Sequence, residues 1–251
     1  MTEKYYDQLA PYYQWLYADW EASVTRQAQA LDGVLSEFLG PRPHTVLDVA
    51  CGVGTQSIGL ARLGYQVTAS DLSPAEVEQA RQAASRQGLE ITLGVADMRQ
   101  VWDTYRQEYD AVLACDNAVP HLLDEDEILS AFRQFYRCVR PGGCCLISVR
   151  DYAQVPRGGR RRQFYPRLVQ PVGEGQIVIF DVWDFDGDVY TMTTYILQDN
   201  GGPQAPAQVI RGGKYFCVSI PVLENLFRTA GFRQVTTLRE RFFQPLIVAV
   251  K

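Results

Sequence analysis

Acidic residues and glycines around two predicted strands have the spacing of a nucleoside-binding site. Asp48 precedes a turn that contains Gly52 and Gly54, and Asp71 ends the second strand, residues 66–70. Glycines let the backbone approach a ligand closely, and the helix that begins after the turn offers unpaired N–H groups. An acid after the second strand can accept hydrogen bonds from both hydroxyls of a ribose. The pattern therefore predicts half of a nucleotide-binding α/β fold.

The turn differs from that of a dinucleotide-binding enzyme. Such an enzyme has G-x-G-x-x-G, so that a pyrophosphate can lie on the helix N-terminus, whereas this chain has Gly52-x-Gly54-x-x-Ser57. Asp48 would repel a pyrophosphate, but it could bind the ammonium group of an amino acid, directly or through water. These features favour a nucleoside that carries an amino acid, which is S-adenosylmethionine. They argue against the alternative of a nicotinamide-dependent oxidoreductase.

The segment Asp48-Val-Ala-Cys-Gly52-Val-Gly54-Thr resembles motif I of class I S-adenosylmethionine-dependent methyltransferases. Its DVACG form, with Ala50 in place of the usual first glycine, is similar to the glycine and glycine/sarcosine N-methyltransferase branch, and to several others. The resemblance implies an α/β fold with a Rossmann-like seven-stranded sheet and helices on both faces. It also implies S-adenosylmethionine as cofactor and S-adenosylhomocysteine as product. The alternative is a Rossmann-like turn that binds another nucleotide or none.

The resemblance assigns cofactor contacts along the first half of the chain. Asp71 would bind the ribose, Leu72 would cover the adenine, and Asp97 would accept a hydrogen bond from the adenine amino group. Asp97 could instead cap a turn before Arg99. Arg26, matched by its spacing from the first strand, would contact the cofactor carboxylate. The predicted set is Arg26, Asp48, Ala50, Gly52, Gly54, Asp71, Leu72, Ala96, Asp97, Met98 and Cys115.

Polar residues follow the fourth predicted strand, residues 109–115, at the end where ligands of open α/β sheets bind. Asn117 matches a substrate-contacting asparagine of the glycine N-methyltransferase family, and His121 matches a histidine there. Asp116 stands where that family has glycine. Its carboxylate could repel the carboxylate of an amino acid, hold a more cationic amine or deprotonate one. We predict Asp116, Asn117 and His121 as catalytic residues, with a packing role as the alternative for His121.

An arginine after the fifth strand is the predicted anchor for the acceptor. Arg150-Asp-Tyr152 resembles the arginine–asparagine–tyrosine sequence with which that family holds the substrate carboxylate, and a guanidinium can bind a carboxylate bidentately. A surface salt bridge is the alternative role of Arg150. Tyr17 resembles a family tyrosine near the methyl group, and Tyr195 and Tyr215 are pocket candidates. The predicted substrate-binding set is Tyr17, Asn117, Arg150, Tyr152 and Tyr215.

The helices that would position these residues follow from apolar spacing and capping residues. An aromatic-rich N-terminal segment, which includes a helix over residues 23–39, is expected to cap the cofactor cleft, because aromatic faces attract a cationic sulfonium. A further helix should begin at Ser73, with Ser73 as N-cap, Pro74 at the first position and Glu76 at the third.

The second half of the chain is predicted to carry an insert. Three antiparallel strands, residues 177–183, 189–197 and 208–218, would lie over the cleft. Residues 153–170, which are rich in arginine, are predicted to form a solvated loop that could steer an anionic substrate. We predict one domain, residues 1–251, with a cap at 1–40, a cofactor-binding core at 41–152, the insert at 153–218 and a closing helix and hairpin at 219–251.

The composition argues against a nucleic-acid partner. The chain has 251 residues and a formal net charge of −5, whereas a nucleic-acid-binding domain is usually basic. No apolar run reaches the ~18 residues needed to cross a bilayer, and the N-terminus lacks the apolar core of a signal peptide. The six cysteines form no C-x-x-C pair, and the two histidines lack paired ligand spacing. We therefore expect a reduced, cytoplasmic protein without a metal site.

The expected reaction is an in-line displacement in which a nucleophile on a small acceptor attacks the sulfonium methyl. Holding two reactants in line can supply ~7–11 kcal/mol, and an amine must be neutral to attack. The acceptor could be the amine of glycine or of a related amino acid. An O-methyltransferase for a small hydroxy or carboxylic compound, and a non-catalytic S-adenosylmethionine-binding protein, are the alternatives. The sequence leaves the oligomeric state open.

Overall fold

Two β-sheets and seven helices make up the part of the chain that the computed structural model describes, which is residues 2–41, 44–155, 162–172, 175–202 and 205–251. The helices are α1 (Thr2–Leu9), α2 (Trp20–Leu39), α3 (Thr55–Arg62), α4 (Pro74–Arg86), α5 (Val101–Tyr105), α6 (Glu125–Cys138) and α7 (Ile220–Ala230). The strands are β1 (Thr45–Asp48), β2 (Gln66–Asp71), β3 (Ile91–Val95), β4 (Tyr109–Ala114), β5 (Val139–Ser148), β6 (Arg162–Val172), β7 (Gly175–Asp186), β8 (Val189–Asp199), β9 (Ala207–Phe216), β10 (Gln234–Leu238) and β11 (Leu246–Val250).

The larger sheet has seven strands in the order β10–β11–β5–β4–β1–β2–β3. Strands β5, β4, β1, β2 and β3 run parallel, and β11 is antiparallel to both of its neighbours. The predicted Rossmann-like fold is therefore confirmed. The carboxyl ends of β1–β4 meet at one edge, which is where this architecture binds ligands.

Helices cover both faces of this sheet. Leu47 and Val46, which are neighbours in β1 and therefore point to opposite faces, are both fully buried. On the side of Leu47 the core includes α6 and α7, where the rings of Phe132 and Phe227 stack at 3.9 Å. On the side of Val46 it includes Leu31 and other apolar residues of α2. Among the described residues, no helix is long and apolar enough to span a membrane.

Close packing joins α2 to α3, the helix that follows the glycine turn. A Cβ atom on Gly59 would lie 2.6 Å from the Cβ of Ala28 and 2.8 Å from the carbonyl oxygen of Val24. The indole of Trp20 donates a hydrogen bond to Thr55 Oγ1 at 3.0 Å. The N-terminal segment is therefore fixed to the helix that presents the turn.

The insert is a four-stranded antiparallel sheet, β6–β7–β8–β9. The prediction of a loop over residues 153–170 is wrong for the part that the structure describes from Arg162 onward, because that part pairs with β7 as strand β6. The arginines of residues 153–170 favoured the prediction of a solvated loop. A register shift between Pro166 and Leu168 also interrupts the alternation of side chains between the two faces of the strand. The remaining predicted loop arginines, at positions 157, 160 and 161, lie outside the described residues.

Helix α1, which was not predicted, connects the insert to the core. The hydroxyl of Tyr5 is hydrogen-bonded to Thr194 Oγ1 on β8 at 2.7 Å. Ser73, the N-cap of α4, donates its hydroxyl to Asp7 at 2.6 Å. Helix α1 therefore contacts both the insert and the core. It lies across the edge where β1–β4 end.

Candidate active site

A cavity of about 350 Å³ lies at the carboxyl ends of β1–β4. The turn after β1, the ends of β2 and β3 and the segment after β4 form its walls, and Thr2, Glu3 and Tyr6 of α1 cover it. Eight of the eleven residues predicted to contact the cofactor line it: Ala50, Gly52, Asp71, Leu72, Ala96, Asp97, Met98 and Cys115.

The acid after β2 is fixed against the glycine turn. Gly52 has a φ of 52° and donates its N–H to Asp71 Oδ2 at 2.9 Å, and Ser73 donates its N–H to Asp71 Oδ1 at 2.9 Å. Burial raises the pKa of Asp71. These bonds orient a carboxylate in the cavity wall, where hydroxyl donors of a ligand can reach it.

Asp48 supports the turn from behind the cavity wall. It is 1% exposed and accepts hydrogen bonds from Ser57 Oγ at 2.7 Å and from the N–H of Ala50 at 3.3 Å. Burial raises its pKa to about 7. Ser57 takes the place of the third glycine because it is the donor that satisfies this buried carboxyl. Asp48 is not in the wall of this cavity, and its bonds to Ser57 and Ala50 stabilise the turn. The predicted contact with the ammonium group of the cofactor, directly or through water, stays a prediction.

Gly54 and Arg26 also lie outside the cavity wall. Gly54 has a φ of 93°, and a Cβ there would lie 3.2 Å from Ala80 Cβ, so the glycine is required by packing against α4 rather than by a ligand. Arg26 is exposed and donates Nη2 to Ser23 Oγ at 2.8 Å within α2. Ser23 and Gln27 occupy the buried face of that helix, and the contact of Arg26 with the cofactor carboxylate stays a prediction.

Apolar and acidic residues form the end of the cavity nearest β3. Ala96 and Met98 line it, and Asp97 caps the 3₁₀ turn Met98–Gln100 by accepting the N–H of Arg99 at 2.9 Å. Partial burial raises the pKa of Asp97, but the hydrogen bonds and charge of Arg99 outweigh it and keep that pKa below its usual value. Arg99 also pairs with Glu127 at 2.5 Å. Asp97 therefore both caps this turn and lines the first cavity.

A second cavity, of about 180 Å³, adjoins the first. The two share Tyr6, Tyr13 and Asp116. The second cavity contains four of the residues predicted to bind the acceptor, namely Tyr17, Asn117, Arg150 and Tyr215, and in addition Leu9, Leu16, Arg167, Met192 and Phe243.

Asp116 lies where the two cavities meet. Its φ of 56° is left-handed, and its N–H donates to Ser148 Oγ at 2.7 Å. Tyr17 donates its hydroxyl to Asp116 Oδ2 at 3.2 Å. Burial raises the pKa of Asp116, although Arg167, Tyr17 and Arg150 oppose the rise. The group is therefore a carboxyl that can take up a proton more readily than an exposed aspartate can.

Asn117 holds the residues around it in place. It is 4% exposed and has a φ of 64°. Its Oδ1 accepts the N–H of Arg150 at 2.9 Å, and its Nδ2 donates to the hydroxyl of Tyr152 at 2.8 Å. Tyr152 is 3% exposed and is not in the wall of either cavity, so in this structure it supports Asn117, and its contact with the substrate stays a prediction.

Two arginines give the second cavity a positive wall. The guanidinium of Arg150 lies 4.6 Å from the ring centroid of Trp183 and donates to the hydroxyl of Tyr190 at 3.2 Å. Among the described residues, Arg150 forms no ion pair, so the alternative of a surface salt bridge is not observed in that part of the chain. Arg167, on β6, donates Nε to the buried Asp181 at 2.6 Å.

His121 is neutral and both of its nitrogens are engaged. Nδ1 lies 2.8 Å from the carbonyl oxygen of Lys214, which only accepts, so Nδ1 carries the proton and Nε2 accepts from the hydroxyl of Tyr6 at 2.7 Å. Burial lowers the pKa of His121 to about 4. Tyr6 in turn is hydrogen-bonded to the hydroxyl of Tyr215 at 2.9 Å. The geometry gives His121 an orienting role rather than an open position for proton transfer.

Several wall residues escaped the sequence prediction. Glu76 was assigned only as a helix-start residue, and Arg167 was placed in a loop. The pocket candidate Tyr195 is not in the wall of either cavity, and its ring stacks on that of Phe180 with the centroids 4.8 Å apart. A signal for part of the wall was present. Helical spacing relates five residues of the N-terminal segment that all line the second cavity: Tyr6, Leu9, Tyr13, Leu16 and Tyr17.

Comparison with known proteins agrees with this architecture. Residues 46–143 match the family described as "Methyltransferase domain", and the sheet order is that of the class I enzymes of this kind. The core of this chain is thus similar to a methyltransferase domain. The matched segment begins in β1 and ends in β5, so it contains the glycine turn, the acid after β2 and Asp116.

Curated relatives are similar to somewhat more than half of this chain. The putative methyltransferase YqeM of Bacillus subtilis (strain 168) is 32% identical over 148 residues, which are 57% of this chain and 52% of that protein. The glycine/sarcosine N-methyltransferase of Parasynechococcus marenigrum (strain WH8102) is 30% identical over 141 residues, which are 56% of this chain and 49% of that protein. The chain thus spans about half the length of the curated relatives it matches.

Solved structures share the fold over nearly the whole chain. Streptomyces venezuelae DesVI superimposes with a TM-score of 0.77 at 19% identity and covers 91% of this chain and 92% of its own. CalS10 with bound S-adenosylmethionine, an amino pentose methyltransferase from Micromonospora echinaspora, has a TM-score of 0.75 at 20% identity and covers 90% and 91%. The shared fold therefore extends beyond residues 46–143 to most of the chain.

Proposed function

We propose that this protein is an S-adenosylmethionine-dependent N-methyltransferase whose acceptor is a small amine that carries an acidic group. The observation that carries the proposal is the composition of the second cavity. It combines Asp116, shared with the first cavity, with Arg150, a guanidinium that has no carboxylate partner among the described residues.

The first cavity has the groups that S-adenosylmethionine requires. Asp71 offers a carboxylate for the ribose hydroxyls, and Leu72, Ala96 and Met98 offer an apolar surface for the adenine. Bound there, the cofactor supplies a methyl group on a cationic sulfur. The shape of the turn and the position of Asp71 are fixed by hydrogen bonds already present in the chain, so they cost no reorganisation when the ligand binds.

Asp116 is suited to the amine itself. A carboxylate at the shared wall attracts the ammonium form of the acceptor, and its raised pKa lets it receive the proton that the nitrogen must lose before it can attack. The Tyr17 hydroxyl, which donates to Oδ2, keeps the carboxylate oriented. The residue that departs from the glycine N-methyltransferase pattern thus becomes the base of the proposed reaction.

Arg150 is suited to the acidic group of the acceptor. Its guanidinium rests on Trp183, and its backbone is held by Asn117, so the side chain is oriented before a ligand binds. A bidentate bond to a carboxylate would fix the acceptor so that its nitrogen lies near Asp116. Positioning of this kind is the main contribution that the residues of the second cavity make to the rate.

The proposed class of acceptors includes amines larger than glycine. The second cavity continues into an outer opening that shares Asp116, Arg150, Arg167 and Phe243 with it. Glycine and sarcosine, the substrates in the names of one group of relatives, are the smallest amines of the proposed class. The structural neighbour CalS10 is an amino pentose methyltransferase, which is a reason to test larger amines too.

The test is a measurement of S-adenosylhomocysteine release with a panel of glycine, sarcosine, larger amino acids, amino sugars and phenols. With the best amine, Arg150→Lys should raise KM for the acceptor roughly 10–100-fold, because a charged hydrogen bond contributes about 1.5–3 kcal/mol, and should leave the cofactor Kd unchanged. Asp116→Asn should lower kcat. The exposed Arg228→Lys serves as the matched control.

The panel separates the alternatives. Turnover of phenols or hydroxy acids alone would refute the amine assignment and favour O-methylation. Tight binding of S-adenosylmethionine without turnover of any acceptor would favour a binding-only role. If Arg150→Lys raised KM equally for amines with an acidic group and for amines without one, the role of Arg150 as the anchor would be refuted.

A further inference from the structure

Glu76 is a buried carboxyl in the wall of the first cavity that the proposed reaction does not use. It is 2% exposed and lines the cavity, and its Oε1 has no hydrogen-bond partner among the described residues. Its other oxygen, Oε2, would lie 3.5 Å from a Cβ on Gly52. The carboxyl therefore lies against the glycine turn, and a buried polar atom without a partner is costly unless a ligand satisfies it.

The helix start does not account for this side chain. A glutamate at the third position of a helix commonly accepts the N–H of the N-cap residue. Here the N–H of Ser73 donates to Asp71 instead, and only the reciprocal bond, from the N–H of Glu76 to Ser73 Oγ at 3.2 Å, is formed. The side chain is thus released from capping and is available to the cavity.

The surroundings of Glu76 favour a cation. The negative charges of Asp71 on β2, Asp7 on α1 and Asp116 after β4 raise the pKa of Glu76. The hydroxyl-bearing rings of Tyr6 and Tyr13 line the same cavity. The cavity wall as a whole contains six carboxyl groups and two cations, Arg99 and Lys214, and Arg99 is already paired with Asp97 and Glu127.

We propose that the carboxylate of Glu76 binds the cationic sulfonium region of S-adenosylmethionine and makes the protein prefer this cofactor to its product, S-adenosylhomocysteine. This inference rests on the proposed function. The sulfur joins the ribose to the amino acid, and the ribose site at Asp71 and the turn at Gly52 are the two features that flank Glu76. Because the product sulfur is neutral, only the substrate gains from a charge there.

A proton should accompany binding. Burial, followed by the charges of Asp71, Asp7 and Asp116, raises the pKa of Glu76 well above its usual value. A bound cation lowers the pKa again, so Glu76 releases a proton to solvent when S-adenosylmethionine binds. The affinity for S-adenosylmethionine should therefore increase with pH more steeply than the affinity for S-adenosylhomocysteine.

The test is isothermal titration calorimetry of both ligands in phosphate and in Tris, which differ in ionisation enthalpy. The wild type should release more protons with S-adenosylmethionine than with S-adenosylhomocysteine. Glu76→Gln should remove this difference and lower the ratio of the two affinities about tenfold. Glu76→Met provides a second, apolar variant, and Glu78→Gln on the exposed side of the same helix is the matched control. Circular dichroism checks that each variant is folded.

The outcomes are distinct. A Glu76→Gln protein that keeps both the affinity ratio and the proton release would overturn the role of Glu76 while the methyltransferase proposal stands. An equal loss of affinity for both ligands would also overturn this role, because it would show that Glu76 is needed only for the structure of the site. If the wild type binds neither ligand, the cofactor assignment itself is refuted, and the role of Glu76 with it.

Discussion

Replacement of Asp48 by asparagine should change how stability depends on pH. Asp48 is fully enclosed, and burial raises its pKa to about 7 from an ordinary value of 3.8. Between these values the folded protein retains a proton that the unfolded chain has lost, so the stability of the wild type falls as pH rises. A shift of about three pKa units corresponds to about 4 kcal/mol when Asp48 is fully ionised in both states.

Part of this change in stability occurs at pH values where unfolding can be measured. Between about pH 5 and about pH 8 the expected loss from Asp48 is about 2.5 kcal/mol. Asparagine has the same shape and can still accept the hydrogen bond from Ser57, but it does not ionise. The Asp48→Asn variant should therefore gain about 2.5 kcal/mol relative to the wild type on going from the lower to the higher pH.

Urea unfolding at the two pH values, without cofactor, measures this difference directly. Asp71, Glu76 and Asp116 also have raised pKa values, but they are common to both proteins and largely cancel in the comparison. A variant whose stability follows the same pH dependence as the wild type would refute the assignment of a buried, proton-holding carboxyl at Asp48.

Three further substitutions test other parts of the site. Asp71→Ala should abolish measurable binding of S-adenosylmethionine in calorimetry, and unchanged affinity would contradict the ribose assignment. Gly54→Ala should cost about 1–3 kcal/mol in urea unfolding, because its left-handed φ and the nearby Ala80 leave no room for a methyl group, with little effect on the cofactor Kd of the folded fraction. Tyr6→Phe should cost about 1 kcal/mol by leaving the partly buried Nε2 of His121 without its donor; unchanged stability in the same assay would count against that hydrogen bond.

Local sequence patterns determined the cofactor-binding half of the fold. The strands β1–β4 could be predicted because each is a short apolar run that ends in an acid or is followed by one within two residues, and the parallel arrangement then brings those ends to one edge. For this reason the sequence identified Asp71, Gly52 and Asp116 as candidates, and all three line the first cavity. The segment that begins at Arg162 was misjudged because a strand rich in arginine and proline has no clear alternation.

The roles of individual side chains were decided by tertiary contacts. Motif spacing cannot distinguish a glycine that lines the first cavity, such as Gly52, from one that packs against Ile58 and Ala80 outside it, such as Gly54. It also cannot show that Asp71 takes the N–H of Ser73 and so frees Glu76 for the cavity, because that exchange depends on two elements meeting in space. The sequence by itself determined the fold and the chemistry of the strand ends, whereas burial and hydrogen-bond partners, which only the assembled structure defines, decided which residues face a ligand.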